Sequence, residues 1–313
     1  MLEVLTIGEP MGLLVAEEVR PLEDVEHFTR YVCGAEVNFA VGMARLSHKI
    51  AYVSKIGNDP FGRHIKKFLV ENKIDNRYVA LDDEHMTGMQ LKAKVLEGDP
   101  EVVNFRKNTA FANLTEDDIA GIDWSTIRHL HITGIPAALS LSCRQAIYKM
   151  MDTAHEHGVQ ISFDTNLRPA LWKDKAAMVR VINDLAFKAD IVLPGIGEGK
   201  ILTGSDDPET VADFYLQKGV KTAVIKVGSK GAFVKSATEK FMAPAFKVEH
   251  VVDTVGAGDG FAVGVVSAIL EGKSLAEAAE RGAAIGACAI MVAGDNEGLP
   301  TREGLDAFFA AHK

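Results

Sequence analysis

The sequence predicts an α/β protein in which a mostly parallel sheet is covered by helices on both faces. Three observations support this. Strand-like and helix-like runs alternate along most of the 313 residues. The strand-like runs are short and rich in Val and Ile, as befits strands buried on both sides. Two segments, 11–33 and 87–106, break the alternation with β-like patterns that cannot be helical crossovers.

In chain order, EVLTIG (3–8) is a short apolar strand ending at Gly8, and the polar β-like stretch 11–33 follows. NFAVGMARL (38–46) reads as a helix and IAYVSKIG (50–57) as the next strand. Phe61, Ile65, Phe68 and Leu69 recur at i, i+4, i+7 and i+8, a helical stripe over 60–73. TGMQLKAKVLEGDPEVVNFR (87–106) alternates in two runs joined by EGDPE, a hairpin signature. The two irregular segments are expected to form a small second sheet, a lid spanning roughly 11–33 and 86–112. Edge strands of the main sheet are the alternative. HLHITGI (129–135) is a strand, and CRQAIYKMMDTAHEHG (143–158) is a helix closed by Gly158. VQISFDTN (159–166), ADIVLP (189–194) and KTAVIKVG (221–228) are further strands separated by helical stretches. The last third reads as helices over 256–271, 274–293 and 301–311, with Ser274 and Glu277 forming a capping box.

A net charge of −9 argues against nucleic-acid and anionic-membrane partners, which select basic surfaces. Cys33, Cys143 and Cys288 are widely spaced and form no CxxC pair, which fits free thiols in a reducing compartment. MLEVLTIGEP lacks the basic and apolar regions of a signal peptide. No uncharged apolar run is long enough to span a bilayer. The expectation is a soluble, cytoplasmic protein.

Several glycine and histidine strings invite a ligand, and most fail on spacing. Gly272-Lys273-Ser274 has Ser267 where a P-loop needs its first glycine. Gly199-Lys200 has Pro194 and Ile201 at the required Gly and Ser/Thr positions. The pairs His129/His131 and His155/His157 lack accompanying Cys or Glu residues at zinc spacing. DTVGAGDGFAVG (253–264) survives scrutiny. It fails as a dinucleotide fingerprint, because Phe261 stands where glycine is required and the string lies late in the chain. Gly256, Ala257, Gly258 and Asp259 would instead open a helix, where backbone amides bind anions, phosphate above all. Asp259 either complements the helix dipole or serves as a base beside a bound phosphoryl group. The second arrangement suits phosphoryl transfer: the amides hold the transferring charge and the carboxylate takes the proton of the attacking hydroxyl.

DTVGAGDGF resembles the C-terminal signature of the ribokinase-like (PfkB) carbohydrate kinases. CGAEVNFAVGMARLS (33–47) resembles their N-terminal signature, with Cys33 and Ser47 replacing its terminal glycines. GEPM (8–11), GAEVN (34–38), LHITGIPAALS (130–140), DTNLRPALW (164–172) and GDNEGLP (294–300) are most similar to 2-keto-3-deoxygluconate kinases, and fructokinases share some of them. The resemblance implies one ribokinase-like unit over 1–313: a three-layer α/β/α sandwich with a small β-sheet lid. It implies ATP-dependent transfer to a hydroxyl of a sugar acid, or of a ketose. It also implies Mg²⁺, a monovalent cation such as K⁺, and a homodimer formed through the lid sheets.

By the same resemblance Asp259 is the catalytic base, and Gly256, Ala257 and Gly258 form the anion hole. Gly34 and Asn38 contact the sugar, with a helix cap as the alternative for Asn38. Arg106 meets the carboxylate of an acid sugar, or is a solvated hairpin charge. Arg168 reaches substrate or phosphates, or forms a surface ion pair. Met89 and Asp295 complete the substrate set, although tyrosines commonly occupy the positions of Met89 and Asn104 in such kinases. Lys226, Gly228 and Gly231 form the nucleotide-side loop. Ala284, Ala287 and Gly294 let the adenine approach, or simply pack helices. Glu198 falls on the acid of an Asn-x-x-Glu motif for magnesium, with Gly195 at the Asn position. A non-catalytic sugar or nucleotide sensor is the competing class. Asp259 argues against it, since a binder needs no base.

Overall fold

The computed structural model describes residues 1–96, 98, 100–292 and 294–312. The chain opens with β1 (Val4–Ile7), β2 (Met11–Ala16), β3 (Phe28–Cys33), α1 (Ala35–Arg45), β4 (Ile50–Gly57), α2 (Pro60–Glu71) and β5 (Asp75–Asp82). Next come β6 (Met89–Lys92), β7 (Val102–Phe105), β8 (His129–Thr133), α3 (Pro136–Leu139), α4 (Leu141–Glu156), β9 (Gln160–Asp164) and α5 (Lys175–Phe187). It continues through β10 (Ile191–Val192), α6 (Ile196–Thr203), α7 (Pro208–Leu216), β11 (Thr222–Lys226), β12 (Ala232–Ser236) and β13 (Lys240–Ala243). Helices α8 (Ala257–Leu270), α9 (Leu275–Ile290) and α10 (Arg302–Ala311) close it.

The main sheet has nine strands in the order β13-β12-β11-β10-β9-β8-β1-β4-β5. From β11 to β5 every pairing is parallel, while β12 and β13 add an antiparallel edge. Apolar side chains cover both faces, as the Val/Ile-rich runs predict. Ile147, Met150, Ile182, Leu185 and Tyr215, from α4, α5 and α7, lie in one cluster. Phe39, Leu69, Val263, Ile285 and Phe308, from α1, α2, α8, α9 and α10, lie in the other. The sequence pattern does not flag β5, β12 or β13. β5 and β13 are the two edges of the sheet, where the charges of DNRYVALD and KFMA are tolerated, and β12 (AFVKS) lies just inside β13, paired on both sides.

The two irregular segments form a separate four-stranded sheet, ordered β3-β2-β6-β7. Pairs β2–β3 and β6–β7 are antiparallel, and β2 meets β6 in parallel. These strands are therefore not edges of the main sheet. The hairpin predicted over 87–106 is present as β6–β7. Within its expected EGDPE turn, positions 97 and 99 lie outside the described residues.

Local signals set the helix ends. Asp59 caps α2 by accepting from Phe61 N at 2.9 Å and Gly62 N at 2.8 Å, with Pro60 pre-set in the first turn. Ser274 and Glu277 form the expected capping box on α9. Gly158 follows α4 at φ 68°, the left-handed position that glycine favours. Helices α8 and α9 approach until their backbones touch: a Cβ on Gly264 would strike Gly282 N and Cα. Gly264→Ala is accordingly expected to destabilise the fold by about 1–3 kcal/mol through overpacking. Urea unfolding of wild type and variant measures it.

Candidate active site

A cavity of about 630 Å³ opens at the C-terminal edge of the parallel strands, where open α/β sheets bind ligands. The N-terminus of α8 and strands β6 and β7 of the small sheet form its walls. Asp259, Gly256, Gly258, Gly34, Asn38, Arg106, Arg168, Asp295, Lys226 and Glu198 all line it.

Helix α8 begins as the glycine string predicts. Its N-cap, Gly256, has φ 79°, and a Cβ there would collide with the Asp295 carbonyl oxygen. Only glycine meets both demands. Asp259 lies in the first turn, and its Oδ2 accepts from Asn38 Nδ2 at 2.8 Å. Asn38 is inside α1, whose N-cap is Gly34 at φ 142°, so Asn38 is not a helix cap. Its Oδ1 accepts from Asn296 Nδ2 at 3.4 Å, which leaves the amide donor facing Asp259. The Asp259 pKa is pushed up to about 7. Burial is the main cause, and the nearby charges of Asp164 and Glu36 add to it; the Asn38 hydrogen bond and Lys226 oppose it. A carboxylate so placed is a base near neutral pH.

Lys226, at the end of β11, bonds Asp164, at the end of β9, at 2.7 Å. Burial works against the Lys226 ammonium, but Asp164 and Glu198 outweigh it and hold its pKa above the ordinary lysine value. The Lys226 ammonium also lies near Gly258, 3.5 Å from where a Cβ on that glycine would stand. It is therefore part of the site and not incidental strand polarity.

Glu198 is held by three donors. Its Oε2 accepts from Gly195 N and Thr165 Oγ1, both at 2.7 Å, and its Oε1 accepts from Leu167 N at 2.6 Å. Gly195 is the N-cap of α6, so Glu198 supplies the capping bond from the third helical position. A carboxylate fixed in this way, on an oxygen-rich wall shared with Asp164, fits a magnesium ion that keeps most of its waters.

On the small-sheet side, Arg106 Nε and Nη2 bond Glu9 Oε2 at 2.8 and 2.6 Å, and Thr109 Oγ1 donates to Glu9 Oε1 at 2.6 Å. Arg106 is thus a largely buried, oriented guanidinium and not a solvated hairpin charge. Arg168 is exposed, faces the cavity and donates to Leu167 O at 3.1 Å. Gln90 and Asn104 pair at 2.9 Å across β6 and β7 and face the cavity. The Asp295 carboxyl, also on the cavity wall, is pushed up to about 6, mainly by burial.

Some expected residues fall elsewhere. Met89 does not line the cavity: strand alternation turns it away, while Gln90 and Lys92 face in. Ala284 and Ala287 are buried among Val263, Ile285 and Leu299, so helix packing accounts for them. Gly228 (φ 59°) and Gly231 (φ 100°) shape the turn after β11 and lie outside the cavity lining. The side chain of Ala257 also does not line the cavity, although its neighbours do. His129 and His131 are buried, and both bond Ser162 Oγ, at 2.7 and 2.8 Å. Burial pushes the His129 pKa down to about 4.

Four further charged residues, Glu9, Glu36, Asp164 and Lys92, also line the cavity, and the sequence motifs do not mark them. Glu36 is buried and accepts from Thr133 Oγ1, and burial pushes its carboxyl up to about 7. The available signal was an acid inside or beside an apolar run, in GEPM, GAEVN and SFDTN, since buried acids are rarely unpaired. Lys92 carries no such mark, because alternating lysines are ordinary on a hairpin.

The fold and the site together define a phosphotransferase of the ribokinase type. The pattern of the pfkB family carbohydrate kinases matches residues 1–302, and the chain belongs to that family. It is 46% identical over 313 residues to a 2-dehydro-3-deoxygluconokinase of Bacillus subtilis (strain 168), covering 100% of this chain and 97% of the relative. A 2-dehydro-3-deoxygluconokinase of Thermoproteus tenax is 33% identical over 304 residues, covering 96% and 92%. Among solved structures, a PfkB protein from Polaromonas sp. JS666 superposes with a TM-score of 0.91 at 43% identity, covering 98% of this chain and 100% of that one. An Escherichia coli protein described as a ribokinase II, in complex with ATP and Mg²⁺, gives a TM-score of 0.91 at 27% identity, each chain covered in full at 100%.

The raised carboxyl of Asp259 sets a stability signature. Its folded value of about 7 exceeds the ordinary 3.8, so ionisation is disfavoured in the folded state. The cost is absent below the ordinary value, grows as pH rises between the two, and is complete above about 7. Asp259→Asn is expected to melt above wild type at pH 8 and level with it at pH 3.5, as thermal unfolding at both pH values will show.

Proposed function

We propose that the protein is an ATP-dependent kinase for 2-dehydro-3-deoxygluconate, the sugar acid named in its relatives. The observation that carries this reading is Asp259: a base bonded to Asn38 at an amide-rich helix N-terminus, in one cavity with two guanidiniums. Arg106 and Arg168 suit the carboxylate of a sugar acid.

In the proposed reaction, Asp259 takes the proton of a substrate hydroxyl and the oxygen attacks the γ-phosphorus of ATP, so that ADP leaves. The Gly256–Asp259 amides hold the charge of the transferring group. Lys226 sits beside Gly258 and offers a cation to the same phosphates. Asn38 keeps Asp259 aimed, and Gly34 lines the cavity on the sugar side. Magnesium, when bound, neutralises charge on the phosphates, with Glu198 and Asp164 on the wall that would hold its water shell. The small sheet, over roughly 11–33 and 86–112, serves as a lid that excludes water. Its face away from the cavity carries half-buried Met89 and Leu91 and the exposed Phe105, and a second copy of this chain is the proposed cover. Light scattering at micromolar concentration checks for the dimer, and a monomer would reject it.

Asp259→Asn is expected to lower kcat by ~10²–10⁴-fold without loss of fold. Near-wild-type turnover would remove Asp259 from the mechanism. The acid limb of kcat/KM is expected to fall below about pH 7, where Asp259 takes up its proton. A panel of sugar acids and ketoses, read as ADP release, tests the substrate. Preference for a neutral ketose such as fructose would overturn the acid-sugar assignment.

A further inference from the structure

Lys92, the last residue of β6, reaches from the small sheet to the loop that leads into α8. Its ammonium lies 2.7 Å from Asp253 Oδ2, and the two side chains are only 12% and 19% exposed. The other oxygen of that carboxylate accepts from Val255 N at 3.1 Å, immediately before the N-cap Gly256. The same loop is tied to the end of α9, where Val252 N donates to Ile290 O at 2.8 Å. Across the turn, the Asp295 backbone presses on Gly256. Lys92 and Asp295 line both the cavity and an adjoining groove of about 860 Å³, and Asp253 lines the groove. Asp253 and Asp295 therefore flank the start of α8, and Lys92 is the cation set beside them. Among the described residues no other ion pair joins the small sheet to this loop.

We infer that Lys92 and Asp253 are a positioning pair, through which the small sheet holds the 253–256 turn so that the Gly256–Asp259 amides face the cavity. Seating the lid and assembling the anion hole are then one event. A charge-assisted bond largely shielded from water can hold such a turn. With the lid raised, Asp253 loses its cation, and the turn keeps its backbone ties to Ile290 and its own Val255–Asp253 bond. Phosphoryl transfer is thereby restricted to the covered site, which suppresses hydrolysis of ATP when no sugar is bound. This inference rests on the kinase reading of the cavity.

The test is a double-mutant cycle of Lys92→Met, Asp253→Asn and the two combined. It is read as kcat and KM for 2-dehydro-3-deoxygluconate and as calorimetric affinity for a non-hydrolysable ATP analogue. Each single substitution is expected to lower kcat by about 10²-fold, as misplaced catalytic groups do, with sugar KM little changed. The double variant is expected to be no worse than either single one, the mark of coupled residues, and Lys92→Arg to restore most of the loss. Additive losses would overturn the pair. So would a raised sugar KM at unchanged kcat in Lys92→Met, which would make Lys92 a substrate ligand. If wild type phosphorylates nothing in the panel, the kinase reading fails separately. Analogue affinity then decides the pair, with coupled losses supporting it and independent losses rejecting it. Thermal unfolding of every variant, with Lys92→Arg as the conservative partner, separates positioning from misfolding.

Discussion

The hydrogen bond from Asn38 to Asp259, 2.8 Å long, joins two helices from opposite ends of the chain. Helix α1 follows the first arm of the small sheet, and α8 follows the 253–256 turn. The two helices pack against each other on one face of the parallel sheet, with Gly42 of α1 against Val263 of α8. Asp259 lies in the first turn of α8, yet burial still lifts its pKa to about 7. The fold carries an acid it would be more stable without, a pattern common where a group serves chemistry rather than stability.

The same tension recurs around the cavity. A chain with a net charge of −9 must receive ATP and, on the proposed reading, an acid sugar. It does so by engaging its own acids. Glu9 holds Arg106, Asp164 holds Lys226, Asp253 holds Lys92, and Glu198 is occupied by three donors. Buried charges of this kind persist only when paired and hydrogen-bonded. The three ion pairs each fix a cation at a set place near the cavity.

Much of this was legible in the residues. The alternation of buried runs predicts the parallel sheet, and the two β-patterned segments predict the second one. Gly256 and Asp259 announce a helix start with an acid beside it, and Gly34 and Asn38 belong to a matching string. What stayed hidden depends on partners distant in sequence. Edge strands β5 and β13 are too polar to show a buried pattern, and β12 beside β13 is a short run that the alternation does not single out. Glu36 looks like a surface acid on a helix until Thr133 of β8 is placed against it. Met89 and Lys92 differ only in strand parity. The pleat alone turns one away from the cavity and the other into it.

The sequence by itself determined the class of sheet, the existence of two segments outside it, and the local chemistry of the α8 turn, because periodicity, caps and glycine requirements act over a few residues. The tertiary structure decided which charges meet. Asn38 reaches Asp259, Arg106 turns to Glu9, Lys92 crosses to Asp253, and Ala284 and Ala287 go to the core. Those outcomes depend on how the helices and the two sheets pack, and on the demand that every charge taken from water find a partner, which no local pattern encodes.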